Sequence, residues 1–147
     1  ILPTCRTLGI GVTAYGVLSR GLISGHWSKE RAASDFRSHL PRFSGANLDR
    51  NLALVEALRA VATAKRATVA QIAIGWALSR GDDIVPLVGA RRRERLAEAL
   101  GALDLKLTAD DLAQIEQAVP PDAVAGERYP SAQMAVLDSE RGRGGAA

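Results

Sequence analysis

Two short apolar runs, separated by a long and mostly helical stretch, are the feature that most constrains the fold of this 147-residue chain. The runs, residues 10–15 (IGVTAY) and 84–87 (IVPL), contain β-branched residues and lie close to glycines, a pattern typical of buried strands. Strands that alternate with helices run parallel, because the connection between them needs a crossover helix. Two strands alone do not make a stable sheet. The sequence therefore predicts an α/β chain that completes a larger barrel or packs against another chain.

Helical spacing and capping signals predict the remaining elements. The predicted helices cover residues 1–8, 48–65, 68 towards 81, 92–102 and 109–118. Thr68 with Gln71 forms a capping box, and Thr108 is a second N-cap. Gly9 and Gly81 lie where helix ends favour a left-handed residue.

The glycine-rich stretch of residues 16–46 is predicted to be irregular, with one helical turn near 28–34. A segment this long without regular structure is usually a functional loop. At the other end, residues 139–147 are glycine-rich and are expected to form a flexible tail. We therefore expect one structural unit over residues 1–138 and a tail over 139–147.

Composition and charge exclude several classes of protein. Nineteen Lys and Arg against 16 Asp and Glu give a net charge of +3, too small to indicate nucleic-acid binding by itself. No apolar run reaches membrane-spanning length, and no Cys/His cluster has metal-site spacing. The single cysteine, Cys5, suits a reducing compartment, and the absence of a secretory leader before Ile1 adds to the expectation of a cytoplasmic protein whose chain continues upstream.

An arginine cluster follows the second apolar run. Parallel α/β folds bind ligands at the carboxyl ends of their strands. Arg91, Arg92, Arg93 and Arg95 crowd the start of a predicted helix, where the helix dipole disfavours cations. A bound phosphate would compensate for this, and Gly89 would let it approach the backbone closely. A solvated face is favoured about two to one for Arg92 and Arg93. Arg91 and Arg95, four residues apart, are the favoured ligand contacts.

Four stretches together resemble the second half of aldo-keto reductases: AYGVLSRGLISG, PRFSGANLDRNLALVEAL, TVAQIAIGWALSRGDDIVPLVGARRRERLAEAL and AGERYPSAQM. They follow the family's order and cover most of residues 1–138. The resemblance implies a (β/α)8 TIM barrel, with the two runs as its seventh and eighth strands and a C-terminal extension from Thr108. The chain would be the C-terminal fragment of that barrel, mostly helical with two parallel strands, and its partner would be the missing N-terminal half.

The resemblance also implies an NADPH site. Tyr15 matches the aromatic residue that stacks on the nicotinamide ring, although without the resemblance a core or rim aromatic is the favoured interpretation. The loop that wraps the pyrophosphate through backbone N–H groups corresponds to Gly16, Val17, Leu18, Ser19, Arg20 and Gly21. Gly16 and Val17 replace the family's usual Ser-Pro, which removes a hydroxyl contact, while Arg20 supplies a positive charge.

Gly89, Arg91, Arg95 and Glu98 match positions at the adenosine end of the cofactor. The two arginines would bind the 2′-phosphate, since guanidinium groups suit bidentate phosphate contacts, and this favours NADPH over NADH. Glu98 would accept a hydrogen bond from the adenine amino group. Ala99 stands where the family usually has Asn, so one adenine contact is absent.

Three further positions have more than one interpretation. His26 falls where several relatives carry a phosphate contact, but a structural or rim role is equally favoured. Arg37 and Arg42 both lie in the loop that covers the cofactor, and spacing does not choose between them. Residues 126–129 (GERY) match a segment near the substrate end of some relatives, or form an ordered surface loop.

Catalysis in the family depends on a Tyr, Lys, Asp and usually His from the first half of the barrel, so no catalytic residue is assigned within this chain. The resemblance implies that the intact protein reduces small aldehydes or ketones and that the fragment alone is inactive. An NADP-binding regulatory subunit is the alternative. A nucleic-acid-binding module is disfavoured, because the arginines lie at a strand–helix junction without interleaved aromatics. Neither nucleic acid nor membrane is expected as a partner.

Overall fold

Two parallel strands, β1 (Val12–Ala14) and β2 (Ile84–Pro86), pair in the computed structural model, which describes residues 1–28, 30 and 35–137. Val12 lies opposite Ile84, and Ala14 opposite Pro86. The predicted parallel pairing is confirmed, although both strands are shorter than their apolar runs. The last hydrogen bond of the pairing runs from Leu87 N to Ala14 O. Beyond it, Gly16 turns the chain away from β2 with φ +78°.

All five predicted helices are present, and the described residues contain a further short helix near the C-terminus. They are α1 (Leu2–Thr7), α2 (Gly45–Ala64), α3 (Val69–Leu78), α4 (Arg93–Leu100), α5 (Ala109–Ala118) and the single turn α6 (Ser131–Met134). The predicted capping box of Thr68 with Gln71 forms, and the predicted N-cap Thr108 forms a second capping box with Asp111. Three ends differ from prediction: α2 begins at Gly45 instead of Leu48, α3 stops before Gly81, and α4 gives way to a 3₁₀ helix at Gly101–Asp104.

The long loop after β1 is more ordered than predicted. It contains 3₁₀ helices at Ser19–Ser24, Phe36–His39 and Pro41–Phe43. Trp27 packs edge-on against Phe43 with ring centroids 5.1 Å apart, and both bury against Leu22 and Leu48. This second small core holds the loop on α2. Most of the predicted turn near 28–34, and the tail at 139–147, lie outside the described residues.

The main core lies between α2, α3 and α5. Its buried members are Val55, Leu58, Val61, Ala62, Val69, Ile72 and Ile115. Ile72 is fully buried at the centre of α3, the helix that crosses from α2 back to β2. Since α3 contacts both this core and β2, the packing of the helices fixes where the second strand ends.

The buried polar side chain of Asn51 joins the segment after α5 to the long loop. The Asn51 amide donates to Arg42 O at 3.0 Å and to Ala125 O at 2.9 Å, and accepts from Ala125 N at 2.9 Å. Gly126, which follows Ala125, has φ +83°, and a Cβ there would lie 2.8 Å from the Pro41 backbone. Asn51 therefore fixes the C-terminal extension against the loop.

Apolar side chains remain uncovered beside the sheet. Ile10, Val85 and Leu87 are each about half exposed. Neither strand has a second partner strand among the described residues. These exposed edges are those of a partial barrel. Within the same described ranges, no helix has both the length and the apolar character needed to cross a bilayer.

The ionised Asp111 carboxylate stabilises the fold, and this contribution is lost at acid pH. A hydrogen bond from Lys65 Nζ at 2.7 Å, together with bonds from the Thr108 backbone and hydroxyl, lowers the pKa of Asp111 to about 2. An unfolded Asp has a pKa of about 3.9. The contribution to stability is therefore complete above that value and is lost as the pH falls through about 2.

We expect Asp111→Asn to lower the urea midpoint of the complete protein most at neutral pH. The difference from wild type should shrink between about pH 4 and about pH 2. Asp110→Asn, the same change in the same helical turn, is the control and should have a smaller effect. A difference that stays constant down to about pH 2 would contradict this assignment.

Candidate functional site: a basic cavity at the ends of two strands

A cavity of about 370 Å³ opens where the loops after β1 and β2 meet. Parallel strands place their carboxyl ends at the same edge, so the two loops are neighbours in space. Nine of the eleven residues predicted from sequence line it: Tyr15, Gly16, Val17, Leu18, Arg20, Gly21, Gly89, Arg95 and Glu98. The predicted edge of the sheet and the predicted loops therefore form one concave surface.

Two predicted residues do not line the cavity. Ser19 takes part in the turn, donating its N–H to Gly16 O at 2.7 Å, but lies outside the lining. Arg91 is exposed and precedes α4, which begins at Arg93. Helical spacing therefore does not relate Arg91 to Arg95, and that argument from sequence was wrong. Of the four clustered arginines, Arg95 alone is among the lining residues.

Among the described residues, eight more line the cavity: Ser24, His26, Arg37, Ala70, Ile74, Leu87, Val88 and Ala99. Some of these had a sequence signal. Ala70 and Ile74 are four apart on α3, so they share a helix face, and Val88 directly follows β2. His26 and Arg37 were open candidates that the structure places in the lining, whereas Arg42 is not among the lining residues.

The loop after β1 has an unusual backbone. Gly16 and Gly21 have φ values of +78° and +93°, while Ser19 and Arg20 have +47° and +56°. A left-handed conformation costs a residue with a side chain about 1–2 kcal/mol. Two such residues in succession need support from the surrounding structure. The relevant contact is the hydrogen bond from Arg37 to the Arg20 carbonyl.

Tyr15 lies at the rim rather than in the core. Its side chain follows β1, is 81% exposed, and borders both this cavity and a second, apolar cavity of about 600 Å³. The second cavity lies beside α3 and α5, with Trp76 and Ile115 among its lining residues. A flat ring in this position is available to a ligand from either side. Across the loop, the Arg20 guanidinium carbon lies 4.7 Å from the centroid of the Tyr129 ring.

At the opposite side of the cavity, Glu98 holds two basic side chains together. Its carboxylate accepts from Arg95 Nη1 at 2.9 Å and lies 3.4 Å from His26 Nε2, and the Arg95 and His26 side chains also contact each other. Burial raises the pKa of Glu98, but hydrogen bonds from Arg95, Thr68 and His26 and the charge of His26 outweigh burial and lower it overall. Glu98 is therefore a carboxylate at neutral pH.

The charges of the lining residues favour an anionic ligand. Three arginines of the lining, Arg20, Arg37 and Arg95, outnumber Glu98, its one acidic side chain among the described residues, although Asp35 pairs with Arg37 beside the lining. Guanidinium groups suit phosphate oxygens because of their planar, multiple donors. The described residues contain no group of three or more His, Cys, Asp or Glu that could hold a metal ion.

Known proteins resemble this chain along most of its length. The model of the aldo/keto reductase family matches residues 1–120. A probable aldo-keto reductase from Glycine max is 41% identical over 131 residues, which are 88% of this chain and 38% of that protein. The aldo-keto reductase yakc of Schizosaccharomyces pombe, whose name specifies NADP(+), is 35% identical over 132 residues, 88% of this chain and 39% of its own.

A solved structure extends the comparison to the fold. The glycerol dehydrogenase AKR11B4 from Gluconobacter oxydans superposes with a TM-score of 0.73 at 26% identity, covering 81% of this chain and 37% of that one. That neighbour is a TIM barrel, which confirms the predicted fold class. The chain spans less than two fifths of the length of each of these three proteins.

Gln71 connects the two helices that border the cavity. Its Oε1 accepts from Thr68 N at 2.9 Å, and its Nε2 donates to Glu98 O at 3.0 Å. Gln71→Glu keeps the capping acceptor but cannot donate to Glu98. We expect it to lower the free energy of unfolding by about 1–3 kcal/mol, because the carbonyl loses its donor.

The control for this variant is Gln114→Glu, which makes the same chemical change on the exposed side of α5. Urea denaturation of the complete protein measures both variants. An equal midpoint for the two would mean that the Gln71–Glu98 bond does not stabilise α4.

Proposed function

This chain belongs to the aldo/keto reductase family, and from that premise we propose that the complete protein is an NADPH-dependent oxidoreductase that reduces small aldehydes or ketones to alcohols. The observation that carries the proposal is the basic cavity at the carboxyl ends of two paired barrel strands. Members of this family generally use NADP(H). In the proposal, residues 1–138 supply much of the cofactor site, and the rest of the barrel supplies the catalytic residues.

The first loop is proposed to bind the nicotinamide half of the cofactor. The exposed Tyr15 ring would stack on the nicotinamide and fix the face from which hydride leaves. Residues 16–21 would contact the pyrophosphate largely through backbone N–H groups, with Arg20 adding positive charge. The N–H groups of Ser19 and Gly21 donate within the loop, to Gly16 O and Leu18 O, so the other loop residues would make these contacts. The glycines of this loop support the proposal, because they let the backbone approach an anion closely.

The second loop is proposed to bind the adenosine half. Gly89 would allow close approach, Arg95 would bind the 2′-phosphate, and the exposed Arg91 would be the second cation near it. Glu98 would accept from the adenine amino group. Its ionised state supports that acceptor role, and its bond to Arg95 holds the guanidinium at the cavity.

The cofactor would supply a hydride to the carbonyl carbon of the substrate. The carbonyl oxygen would gain a proton from a general acid in the part of the barrel outside this chain. The residues of this chain would bind and orient the cofactor and exclude water from it. The chain alone is accordingly proposed to be inactive.

The assignment of the 2′-phosphate contact predicts selectivity between cofactors. In the complete protein, Arg95→Gln should raise the Kd for NADPH about tenfold to a hundredfold, since charge-assisted hydrogen bonds contribute about 1.5–3 kcal/mol. The Kd for NADH should change little. Arg91→Gln should have the same direction of effect and a smaller size, because Arg91 is not among the residues that line the cavity.

Arg92→Gln is the matched control, because it removes the same charge from the exposed N-cap of α4. Titration by NADPH fluorescence gives each constant. Equal affinity of the wild-type protein for NADPH and NADH would contradict the 2′-phosphate assignment without affecting the family.

A separate test addresses catalysis. We expect the coding sequence upstream of Ile1 to contain a Tyr–Lys–Asp set in barrel strands and loops. We also expect the complete protein to oxidise NADPH when small aldehydes or ketones are added. Absence of that set would contradict the enzymatic proposal. NADPH binding without turnover would then favour the alternative, an NADP-binding regulatory subunit.

A further inference from the structure

We propose that Arg37 is a positioning residue that holds residues 19–21 in their left-handed conformation and is not itself a ligand of the cofactor phosphates. The inference rests on the proposed NADPH site, because residues 16–21 are its pyrophosphate loop. Arg37 lines the cavity, so a direct phosphate contact is the obvious competing role. The arrangement of its donors separates the two roles.

The Arg37 guanidinium is already engaged on three sides. Its Nε donates to Asp35 Oδ1 at 2.7 Å and its Nη2 to Asp35 Oδ2 at 2.6 Å, while Nη1 donates to the Arg20 carbonyl. A bidentate bond to a carboxylate fixes the plane of the guanidinium and neutralises its charge locally. An arginine used in this way is poorly suited to bind a second anion.

The Arg37–Asp35 pair lies against the buried Trp27 side chain. The guanidinium carbon lies 4.1 Å from the centroid of the Trp27 ring, and Trp27 packs against Phe43 in the second core. Asp35 also accepts from Arg37 N at 3.0 Å as the cap of a 3₁₀ helix. The position of Arg37 is therefore set by the core and by local capping, independently of any ligand.

The carbonyl that Arg37 binds is the one that needs support. Arg20 has φ +56° and lies between Ser19 at +47° and Gly21 at +93°. A hydrogen bond to the Arg20 carbonyl selects this conformation over the extended one that residues with side chains prefer. A loop that is already in its binding conformation loses less entropy when a ligand binds, so affinity rises.

Gly21 lies beside the same contact of Arg37 Nη1 with the loop. A Cβ at Gly21 would lie 3.0 Å from Arg37 Nη1, whereas a Cβ at Gly16 would have nothing within 4 Å. Both glycines have positive φ, so an alanine is strained at either position. The close approach of Arg37 adds a steric requirement at Gly21 alone.

The experiment uses the complete protein with Arg37→Gln and Asp35→Asn, and two ligands. NADPH has a pyrophosphate, whereas adenosine 2′-monophosphate contacts the adenosine end without one. We expect Arg37→Gln to raise the Kd for NADPH about tenfold and to change the Kd for adenosine 2′-monophosphate by less than about twofold. Arg37→Lys should restore little, because an ammonium group cannot reproduce the bidentate fork.

Asp35→Asn distinguishes the two roles by the sign of its effect. If Arg37 positions the loop, losing its carboxylate partner loosens the loop and weakens NADPH binding. If Arg37 is a phosphate ligand, removing the competing carboxylate strengthens NADPH binding. Tighter binding by Asp35→Asn, or an equal loss of both ligands in Arg37→Gln, would overturn the proposal.

A measurement without ligand separates this proposal from that of function. Hydrogen exchange of residues 16–21 in the cofactor-free protein should accelerate in Arg37→Gln and more in Gly21→Ala than in Gly16→Ala. If wild type binds neither ligand, the NADPH proposal fails, and the exchange data still decide whether Arg37 holds the loop. Unchanged exchange in Arg37→Gln and Gly21→Ala would overturn the positioning role.

Discussion

The parallel pairing of β1 with β2 is the constraint on which the rest of the structure depends. It is short, yet it brings the loop after Ala14 and the loop after Pro86 to one edge. The chain between the strands must return across the sheet, and α2 and α3 do so by burying an apolar core between them and α5. Because α3 contacts that core and β2, burial of residues such as Ile72 determines the geometry of the cavity.

Charge in the cavity is organised by carboxylates rather than by arginines alone. Glu98 holds Arg95 and His26 at one side, and Asp35 holds Arg37 at the other. Arginine side chains have many rotamers, so fixing them before a ligand binds reduces the entropy that binding costs. The two carboxylates differ in how much of the guanidinium group of their partner arginine is engaged. Arg95 contacts Glu98 and His26 through Nη1, whereas Arg37 uses Nε, Nη1 and Nη2 for Asp35 and the Arg20 carbonyl.

The elements that depend on local rules were predictable from the sequence. Thr68 and Thr108 predicted their helix starts because a capping box is a property of four consecutive residues. The two parallel strands followed from their apolar runs and from the helices between them. The family resemblance then gave the barrel, which neither periodicity nor composition could supply. Nine of the eleven proposed site residues line one cavity because they belong to the loop after β1, to the loop after β2 or to the helix α4 that follows it.

What the sequence could not predict depends on contacts between distant residues. Arg91 and Arg95 have the same spacing as residues on one helix face, but the start of α4 lies between them. Arg37 and Arg42 were equivalent by spacing, and only the fold shows that one binds Asp35 and the other donates to Gly126 O at 3.2 Å. The role of Asn51 was also invisible, because its partner Ala125 is remote in the chain and offers only backbone groups.

That last contact has a consequence for how this chain can change over evolution. Asn51 recognises the N–H and the carbonyl of Ala125, groups that every residue except proline presents alike. The position of the extension therefore depends on backbone groups and not on the identity of the side chain at position 125. Gly126 is the exception, since any side chain there would meet Pro41. Relatives could therefore vary the side chain at position 125 while the extension keeps the same position.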